Sequence, residues 1–149
     1  MALIQIVENK KKSLGIYVHI PFCRSKCEYC DFYSIPGARS RDLMDRYLDA
    51  VILHIREAAQ GAAGYEVDTV YFGGGTPSLL RPEQAKRLID AARPMPGAEI
   101  TLEANPETVT EESLAGFREA GVNRISFGVQ SARDTQLLTL GRPHTAKQA

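Results

Sequence analysis

The stretch Gly15-Ile-Tyr-Val-His-Ile-Pro-Phe-Cys-Arg-Ser-Lys-Cys-Glu-Tyr-Cys30 joins a strand pattern directly to the only three cysteines of the chain. Residues 15–20 form a β-branched and aromatic run that ends at Pro21, which predicts a strand with Tyr17 and His19 on one face. Pro21 and the preceding strand disfavour a long helix through the cysteines. The sequence therefore predicts a strand followed by a cysteine-rich loop.

Cys23, Cys27 and Cys30 lie within eight residues, a spacing that indicates an iron–sulfur site. Thiolates are the usual ligands of a [4Fe–4S] cluster, and three of them leave the fourth iron open to another ligand. Structural zinc is one alternative, with His19 as the nearest fourth ligand, although zinc sites usually combine two separated ligand pairs. Inert buried cysteines on one helix face are another. A disulfide framework is disfavoured because three cysteines always leave one unpaired.

Length and composition indicate one ordinary domain: the chain has 149 residues, of which 44% are hydrophobic, enough for a core. Eighteen basic residues balance eighteen acidic ones, so charge predicts no nucleic-acid or membrane-surface partner. The lysine run 10–12 is most simply a solvated turn. Residues 2–7 are too short, and have lysines on the wrong side, for a secretory signal, and no span has membrane length. We therefore expect a cytoplasmic protein without a transmembrane segment.

Helix and strand patterns alternate after the cysteines. The predicted helices are Arg41–Gln60, Pro82–Ala92 and Glu111–Ala120, and the further predicted strands are residues 69–72, 99–103 and 124–128. The third helix has Thr110 as its cap and Gly121 as its stop. Residues 144–149 resemble the first turn of another helix. Strands separated by helices predict a parallel sheet with right-handed crossovers.

The fold class predicted by this alternation is α/β, and no low-complexity linker divides residues 1–149. A closed (β/α)₈ barrel takes about 250 residues, so the pattern fits the N-terminal part of a longer TIM-like barrel. A complete open flavodoxin-like sheet fits the pattern as well.

Polar or glycine-rich segments follow each predicted strand, at the end where ligands bind in parallel α/β folds. The second strand is followed by Gly73-Gly-Gly-Thr-Pro77, whose bare backbone permits close approach of a ligand, and which matches neither a P-loop nor a dinucleotide fingerprint. The next two strands end in Glu103, Asn105, Pro106, Gln130 and Ser131. We expect these groups and the open iron to surround one cavity, suited to a ligand with ammonium, carboxylate and ribose hydroxyl groups. For His19 we expect interior packing instead.

With these residues in place, the chain resembles the radical S-adenosylmethionine superfamily, whose signature is Cys-x₃-Cys-x₂-Cys after the first barrel strand. More narrowly it is similar to the coproporphyrinogen III oxidase-like branch. The matching segments are Tyr17-Val-His-Ile-Pro-Phe-Cys23, Cys27-Glu-Tyr-Cys30-Asp-Phe, Tyr71-Phe-Gly-Gly-Gly-Thr-Pro77, Leu102-Glu-Ala-Asn-Pro106, Ile125-Ser-Phe-Gly-Val-Gln-Ser131 and Leu140-Gly-Arg-Pro-His144.

The resemblance implies a partial radical S-adenosylmethionine barrel with a [4Fe–4S] cluster on Cys23, Cys27 and Cys30. It implies that S-adenosylmethionine chelates the open iron and is cleaved there to methionine and a 5′-deoxyadenosyl radical, with the protein positioning the cofactor. The implied S-adenosylmethionine-binding residues are Tyr17, Tyr29, Gly74, Gly75, Thr76, Glu103, Gln130 and Arg142. Gly73 is expected to be only a turn residue.

One departure separates two branches of this family. Oxygen-independent coproporphyrinogen oxidases carry a fourth cysteine two residues beyond the third, whereas Asp31 and Phe32 follow Cys30 here. The Cys-Asp-Phe ending resembles HemW-type haem chaperones, which implies a haem or porphyrin ligand, a haem-accepting apo-protein and a reductant protein, and assigns no catalytic residue. The enzyme alternative is oxidative decarboxylation of the propionates of coproporphyrinogen III by the deoxyadenosyl radical. A zinc-stabilised binding domain is the remaining alternative.

Overall fold

The computed structural model describes residues 11–36 and 41–149, with only the backbone described for Arg41. Residues 2–7, considered above as a signal, and Lys10 lie outside the described residues. The elements are β1 Lys12–Ile20, β2 Phe22–Cys23, β3 Ile35–Pro36, α1 Arg41–Gln60, β4 Tyr65–Gly74, α2 Pro82–Ala92, β5 Glu99–Ala104, α3 Glu111–Ala120, β6 Arg124–Phe127 and α4 Asp134–Thr139. No helix within the described ranges is both long and apolar enough to cross a membrane.

Four of the strands form one parallel sheet in the order β1-β4-β5-β6. Each of these strands pairs with the next one along the chain, and a helix lies between every such pair, namely α1, α2 and α3, as parallel connections require. Their C-terminal ends therefore meet at one edge of the sheet. The two-residue strands β2 and β3 pair separately, with Phe22 opposite Ile35, and close the loop that carries the cysteines.

One face of the sheet forms the core and the other does not. Alternate strand residues such as Val18, Phe72 and Leu102 are buried together with Leu48 of α1, while α2 packs against both α1 and α3. The opposite face carries polar and aromatic side chains, among them Tyr17, which is 59% exposed. Because side chains alternate along a strand, this second face is directed away from the helices.

The helix predictions are confirmed, with Arg41–Gln60, Pro82–Ala92 and Glu111–Ala120 found at their predicted bounds. Local signals explain this accuracy. Pro82 occupies the first turn of α2, and the Thr110 hydroxyl accepts a hydrogen bond from the Ser113 N–H at 3.1 Å at the start of α3. Gly121 ends α3 with φ +111°, in the left-handed region that glycine adopts most easily.

The strand predictions were correct in position, but three of the four were too short and the last was one residue too long. β1 begins at Lys12 rather than residue 15, β4 covers Tyr65–Gly74 rather than residues 69–72, and β6 ends at Phe127 rather than residue 128. The expectation that Gly73 is a turn residue was wrong, because Gly73 pairs with His19 inside the ladder. A Cβ at Gly73 would lie 2.9 Å from ring atoms of both Tyr17 and Tyr71.

The sequence analysis missed the shortest elements. These are β2, β3 and the six-residue helix α4, of which Leu137 is buried. At the end of the chain a single turn forms, where the N–H groups of Gln148 and Ala149 donate to the Thr145 carbonyl. This turn lies where residues 144–149 were expected to form the first turn of a further helix.

Candidate functional site

A cavity of about 200 Å³ lies at the C-terminal edge of the main sheet, beside the cysteine loop. Its wall includes all of the predicted site residues except Tyr17, namely Cys23, Cys27, Cys30, Tyr29, Gly74, Gly75, Thr76, Glu103, Gln130 and Arg142. These residues come from segments up to 119 positions apart in the chain. The strand ends bring them together because all four strands are parallel.

The three cysteines are free thiols, each partly exposed. The loop that carries them is fastened at both ends, since the Ile35 N–H donates to the Pro21 carbonyl at 2.6 Å and β2 pairs with β3. Within residues 11–36 and 41–149, no three His, Cys, Asp or Glu side chains are grouped so that they could hold one metal ion. In a [4Fe–4S] cluster each cysteine binds a different iron, so the three sulfurs need not meet at one metal ion.

The glycine-rich segment is held against the start of the cysteine loop. The Gly75 N–H donates to the Ile20 carbonyl and the Thr76 N–H to the Phe22 carbonyl, both at 2.8 Å. A Cβ on Gly75 would lie 2.7 Å from the Phe22 oxygen, too close for any side chain. Gly74 has φ +108°, and a Cβ there would collide with the His19 ring. The glycines therefore allow close contact with protein backbone and His19, in addition to the approach of a ligand.

Glu103 lies at the end of β5, with each carboxylate oxygen engaged once. Oε1 accepts a hydrogen bond from the Tyr71 hydroxyl at 2.8 Å, and Oε2 accepts one from the Gly74 N–H at 3.1 Å. The bond to Glu103 is the main cause that raises the pKa of Tyr71, and burial adds to it. A carboxylate has about four acceptor positions, so Glu103 retains capacity for a ligand in the cavity.

Tyr17 lies on the open face of the sheet, outside the lining of the cavity. Its ring stacks on Tyr71 with centroids 6.1 Å apart, and its hydroxyl is 3.1 Å from His19 Nδ1. Burial is the main cause that raises the pKa of Tyr17, followed by the charge of Glu103. The structure thus places Tyr17 against Tyr71, whose hydroxyl donates to Glu103.

His19 has both ring nitrogens occupied. Nε2 lies 2.9 Å from the Tyr33 carbonyl oxygen, which can only accept, so Nε2 carries a proton and donates it. Nδ1 is then free to accept from the Tyr17 hydroxyl. These bonds hold His19 on the sheet face, between Tyr17 and the Tyr33 carbonyl.

Arg142 brings a buried cation to the cavity wall. Only 4% of its side chain is exposed, and Nη2 donates to Asn105 Oδ1 at 2.7 Å and to the Gly128 carbonyl at 3.0 Å. Nη1 lies 3.7 Å from Cys27 Sγ, and Glu107 Oε2 lies 3.6 Å from Nη2. Buried arginines are nearly always paired, and here a cysteine sulfur is one of the partners.

Two buried polar atoms near the cavity have no hydrogen-bond partner. Among the side chains that the structure describes, these are Ser34 Oγ and Arg142 Nε, and both residues line the cavity. A buried donor without an acceptor costs about 1–3 kcal/mol, so this wall is suited to an electron-rich group. Cluster sulfur and a ligand carboxylate are both groups of this kind, and the three thiols supply the ligands for the former.

Tyr29 and Gln130 lie at more exposed parts of the wall. Burial is the main cause that raises the pKa of Tyr29. The charge of Arg142 opposes this shift, and Cys27 adds to it. Because the pKa lies above the usual tyrosine value, the phenol keeps its proton at neutral pH. Gln130 has φ +70°, a backbone conformation that is uncommon for residues other than glycine and that concentrates at binding sites.

The sequence analysis noted Asn105 only as a residue at a strand end and assigned nothing to Glu107 or His144. Asn105 contacts both Thr76 and Arg142. His144 is buried, with its nitrogens 3.1 Å from Glu107 Oε2 and from the Val129 carbonyl. The matching segment Leu140-Gly-Arg-Pro-His144 was the signal for this cluster, but it gave no indication of its partners.

The family model described as "Radical SAM superfamily" matches residues 17–149. The chain belongs to the radical SAM superfamily. Membership in this superfamily implies a [4Fe–4S] cluster and S-adenosylmethionine, and the free thiols, the unpartnered donors and the cavity fit both groups.

Several curated relatives of this radical SAM chain are named as haem chaperones. It is 42% identical over 144 residues to "Heme chaperone HemW" of Escherichia coli K12, covering 94% of this chain and 38% of the relative. It is 39% identical over 138 residues to "Heme chaperone HemW" of Bacillus subtilis, covering 88% and 35%. A bovine relative, "Radical S-adenosyl methionine domain-containing protein 1, mitochondrial", is 40% identical over 140 residues, covering 91% and 31%. The chain thus spans about a third of the length of these relatives.

Solved structures confirm the predicted α/β partial barrel. The radical SAM enzyme coproporphyrinogen III oxidase (HemN) of E. coli superposes with a TM-score of 0.82 at 32% identity, over 94% of this chain and 33% of that one. The archaeal Elp3 of Methanocaldococcus infernus superposes with a TM-score of 0.57 at 16% identity, which supports the fold alone.

Proposed function

We propose that this chain is the [4Fe–4S]- and S-adenosylmethionine-binding part of a HemW-like haem chaperone. The observation that carries the proposal is the residue two positions beyond the third cysteine. It is Phe32, which lines the cavity and has no metal-binding atom, whereas the resemblance to the oxidases requires a fourth cysteine there. Identities of about 40% to proteins named haem chaperones support the same choice.

In this proposal Cys23, Cys27 and Cys30, which all line the cavity, would hold three irons of the cluster and leave the fourth iron for S-adenosylmethionine. When bound, the cluster supplies an electron that cleaves S-adenosylmethionine to methionine and a deoxyadenosyl radical. The Arg142 guanidinium next to Cys27 stabilises negative charge on that sulfur.

The groups around the cavity suit the two charged ends of the amino-acid part of S-adenosylmethionine. The N–H groups of Gly74, Gly75 and Thr76 already donate within the protein. These N–H groups are therefore not available to a ligand, whereas Glu103 offers a carboxylate that can accept from an ammonium. The unpartnered Nε–H of Arg142 is suited to a carboxylate. We place Gln130 and Tyr29 beside the rest of the ligand, and Tyr17 where the ligand reaches the open face.

Haem is the cargo in this proposal, with a haem-accepting apo-protein and a protein reductant as partners, in the cytoplasm. The names of the relatives support the haem assignment. Oxidative decarboxylation of coproporphyrinogen III is the second candidate function, favoured by the similarity to the E. coli oxidase. Asp31 and Phe32 in place of the oxidase's cysteine segment count against it.

The experiment uses the full-length gene product, reconstituted with iron and sulfide under anaerobic conditions. Coproporphyrinogen III, S-adenosylmethionine and a reductant are added, and porphyrins are followed by chromatography, with the E. coli oxidase as a positive control. In parallel, haem absorbance is followed before and after addition of an apo-acceptor. We expect haem binding and transfer without decarboxylation. Loss of two propionate carboxyls without haem binding would overturn the proposal in favour of the oxidase.

A further inference from the structure

Asn105 connects two of the proposed cluster ligands through a continuous path of hydrogen bonds. Its Oδ1 accepts from Arg142 Nη2 at 2.7 Å, and its Nδ2 donates to Thr76 Oγ1 at 3.4 Å. At the two ends of this path, Thr76 Oγ1 donates to Cys23 Sγ at 3.5 Å and Arg142 Nη1 donates to Cys27 Sγ at 3.7 Å. One amide side chain is therefore shared by the donors to two sulfurs.

The chemistry of the partners determines the direction of each bond. Arginine can only donate, so the Asn105 oxygen must face Arg142 and the Asn105 nitrogen must face Thr76. The Thr76 hydroxyl has one proton, and because its oxygen accepts from Asn105, that proton is available for Cys23. Asn105 thus excludes the arrangement in which the Thr76 hydroxyl donates to the amide instead of the sulfur.

The packing around this amide favours one orientation. The two residues that the amide bonds, Thr76 and Arg142, are both buried. A Cβ at Gly128 would lie 2.8 Å from Asn105 Oδ1, so the absence of a side chain at residue 128 makes room for the amide. Asn105 also begins a short 3₁₀ turn, Pro106–Thr108, in which its carbonyl accepts from the Thr108 hydroxyl at 2.8 Å. Its backbone and its side chain are both fixed.

We propose that Asn105 is a positioning residue that directs the Thr76 hydroxyl onto Cys23 and steadies Arg142 beside Cys27, and thereby raises the reduction potential of the cluster. The inference rests on the proposed function, because it needs a cluster on these cysteines. Hydrogen bonds to cysteine sulfur are one of the factors that set the potential of an iron–sulfur cluster. They favour the reduced state because it carries more negative charge on the sulfurs.

The test measures the midpoint potential of the reconstituted cluster in the full-length protein by redox titration monitored by electron paramagnetic resonance. Thr76→Val removes the donor at nearly constant volume, and Asn105→Leu removes the amide without adding charge. Each variant is expected to have a more negative potential. The expected change is about tenfold in the equilibrium constant for one-electron reduction, which corresponds to about 59 mV. The double variant should shift by less than the sum, since Asn105 acts partly through Thr76.

Two control variants separate this role from packing. Thr76→Ser keeps the hydroxyl and should keep the potential. Thr101→Val removes a hydroxyl that is also buried but bonds Glu99 and Arg124 rather than a sulfur or a member of the path, and should leave the potential unchanged. If Asn105→Leu does not assemble a cluster, Asn105→Asp takes its place. The shift in potential caused by Asn105→Asp is then measured in the parent and in Thr76→Val, and the difference between the two shifts is the contribution transmitted through Thr76.

Unchanged potentials in Thr76→Val and in the Asn105 variant, with normal iron and sulfide content, would overturn the inference. An additive double variant would overturn the claim that Asn105 acts through Thr76. Failure of the unaltered protein to assemble any cluster would refute the proposed function instead, so the two failures are distinguishable.

Discussion

Replacing Gly75 by alanine tests whether close backbone contact holds the cysteine loop in place. The added Cβ would lie 2.7 Å from the Phe22 oxygen, 2.8 Å from the Ile20 oxygen and 2.9 Å from the Pro21 carbonyl carbon. All three atoms belong to backbone, which cannot rotate away as the end of a side chain can. The segment that leads into Cys23 must therefore move away from the glycine-rich strand end.

The size of the effect follows from overpacking and from the two hydrogen bonds that span this contact. Inserting a methyl group into a well-packed site costs about 1–3 kcal/mol. The bonds at risk are those from the Gly75 and Thr76 N–H groups to the Ile20 and Phe22 carbonyls. A local loss of 1–3 kcal/mol increases the population of the open state by about 5- to 150-fold. We therefore expect the cluster to be lost faster, because Cys23 directly follows Phe22.

The assay combines amide hydrogen exchange of residues 75 and 76 with the rate of iron release to a chelator. Gly64→Ala is the matched control, since nothing lies within 4 Å of a Cβ at Gly64. Exchange and iron release should both accelerate in Gly75→Ala and stay at the parent rate in Gly64→Ala. Equal rates in the parent and in Gly75→Ala would refute the view that this contact clamps the cysteine loop.

Three further predictions follow from the site. Alanine at Cys23, Cys27 or Cys30 should prevent cluster assembly, measured by iron, sulfide and electron paramagnetic resonance; tight zinc without sulfide uptake in the parent would contradict the cluster. Glu103→Ala should retain the cluster but weaken S-adenosylmethionine binding by about 10- to 100-fold, as expected for the loss of a charged hydrogen bond. The affinity is measured by calorimetry, and an unchanged affinity would show that Glu103 has only a structural role. Because the bond to Glu103 raises the pKa of Tyr71, its stabilising effect should be complete below the unfolded pKa of about 10 and be lost as the pH rises through the higher folded pKa. Ultraviolet titration of the phenols should show Tyr71 ionising at lower pH in Glu103→Gln, and an identical curve would exclude this cause.

The sequence predicted the helices best because their signals are local. The apolar period of α1 and the cap and stop residues of α3 are contained in the segments themselves. Strand ends depend on a partner elsewhere in the chain. Gly73 and Gly74 have a turn-like composition, yet pairing with His19 and Ile20 draws them into β4. The six residues of α4 are too few to show a helical period.

The residues that line the cavity could be predicted from the sequence, but the hydrogen bonds that join them could not. Parallel topology alone places strand-end residues at one edge, which suffices to gather Glu103, Gly75 and the cysteines. The partners of Asn105 lie 29 and 37 positions away, and no local pattern indicates which end of an amide faces which neighbour. The same applies to the glycines, since only the structure reveals the backbone that approaches Gly75.

Residue 32 connects the departure in the sequence to the surface around the cavity. Phe32 is 65% exposed and Tyr33 is 73% exposed, and Tyr29 of the same loop also presents its ring to solvent. A cysteine at residue 32 would add a nucleophile and metal ligand to the cavity wall, whereas phenylalanine offers neither. Clustered exposed aromatic rings are typical of binding surfaces, because burying them against a flat apolar partner is favourable. Phenylalanine at residue 32 thus gives this part of the cavity wall exposed apolar surface where the oxidase branch has a cysteine, and the proposed function rests on this difference.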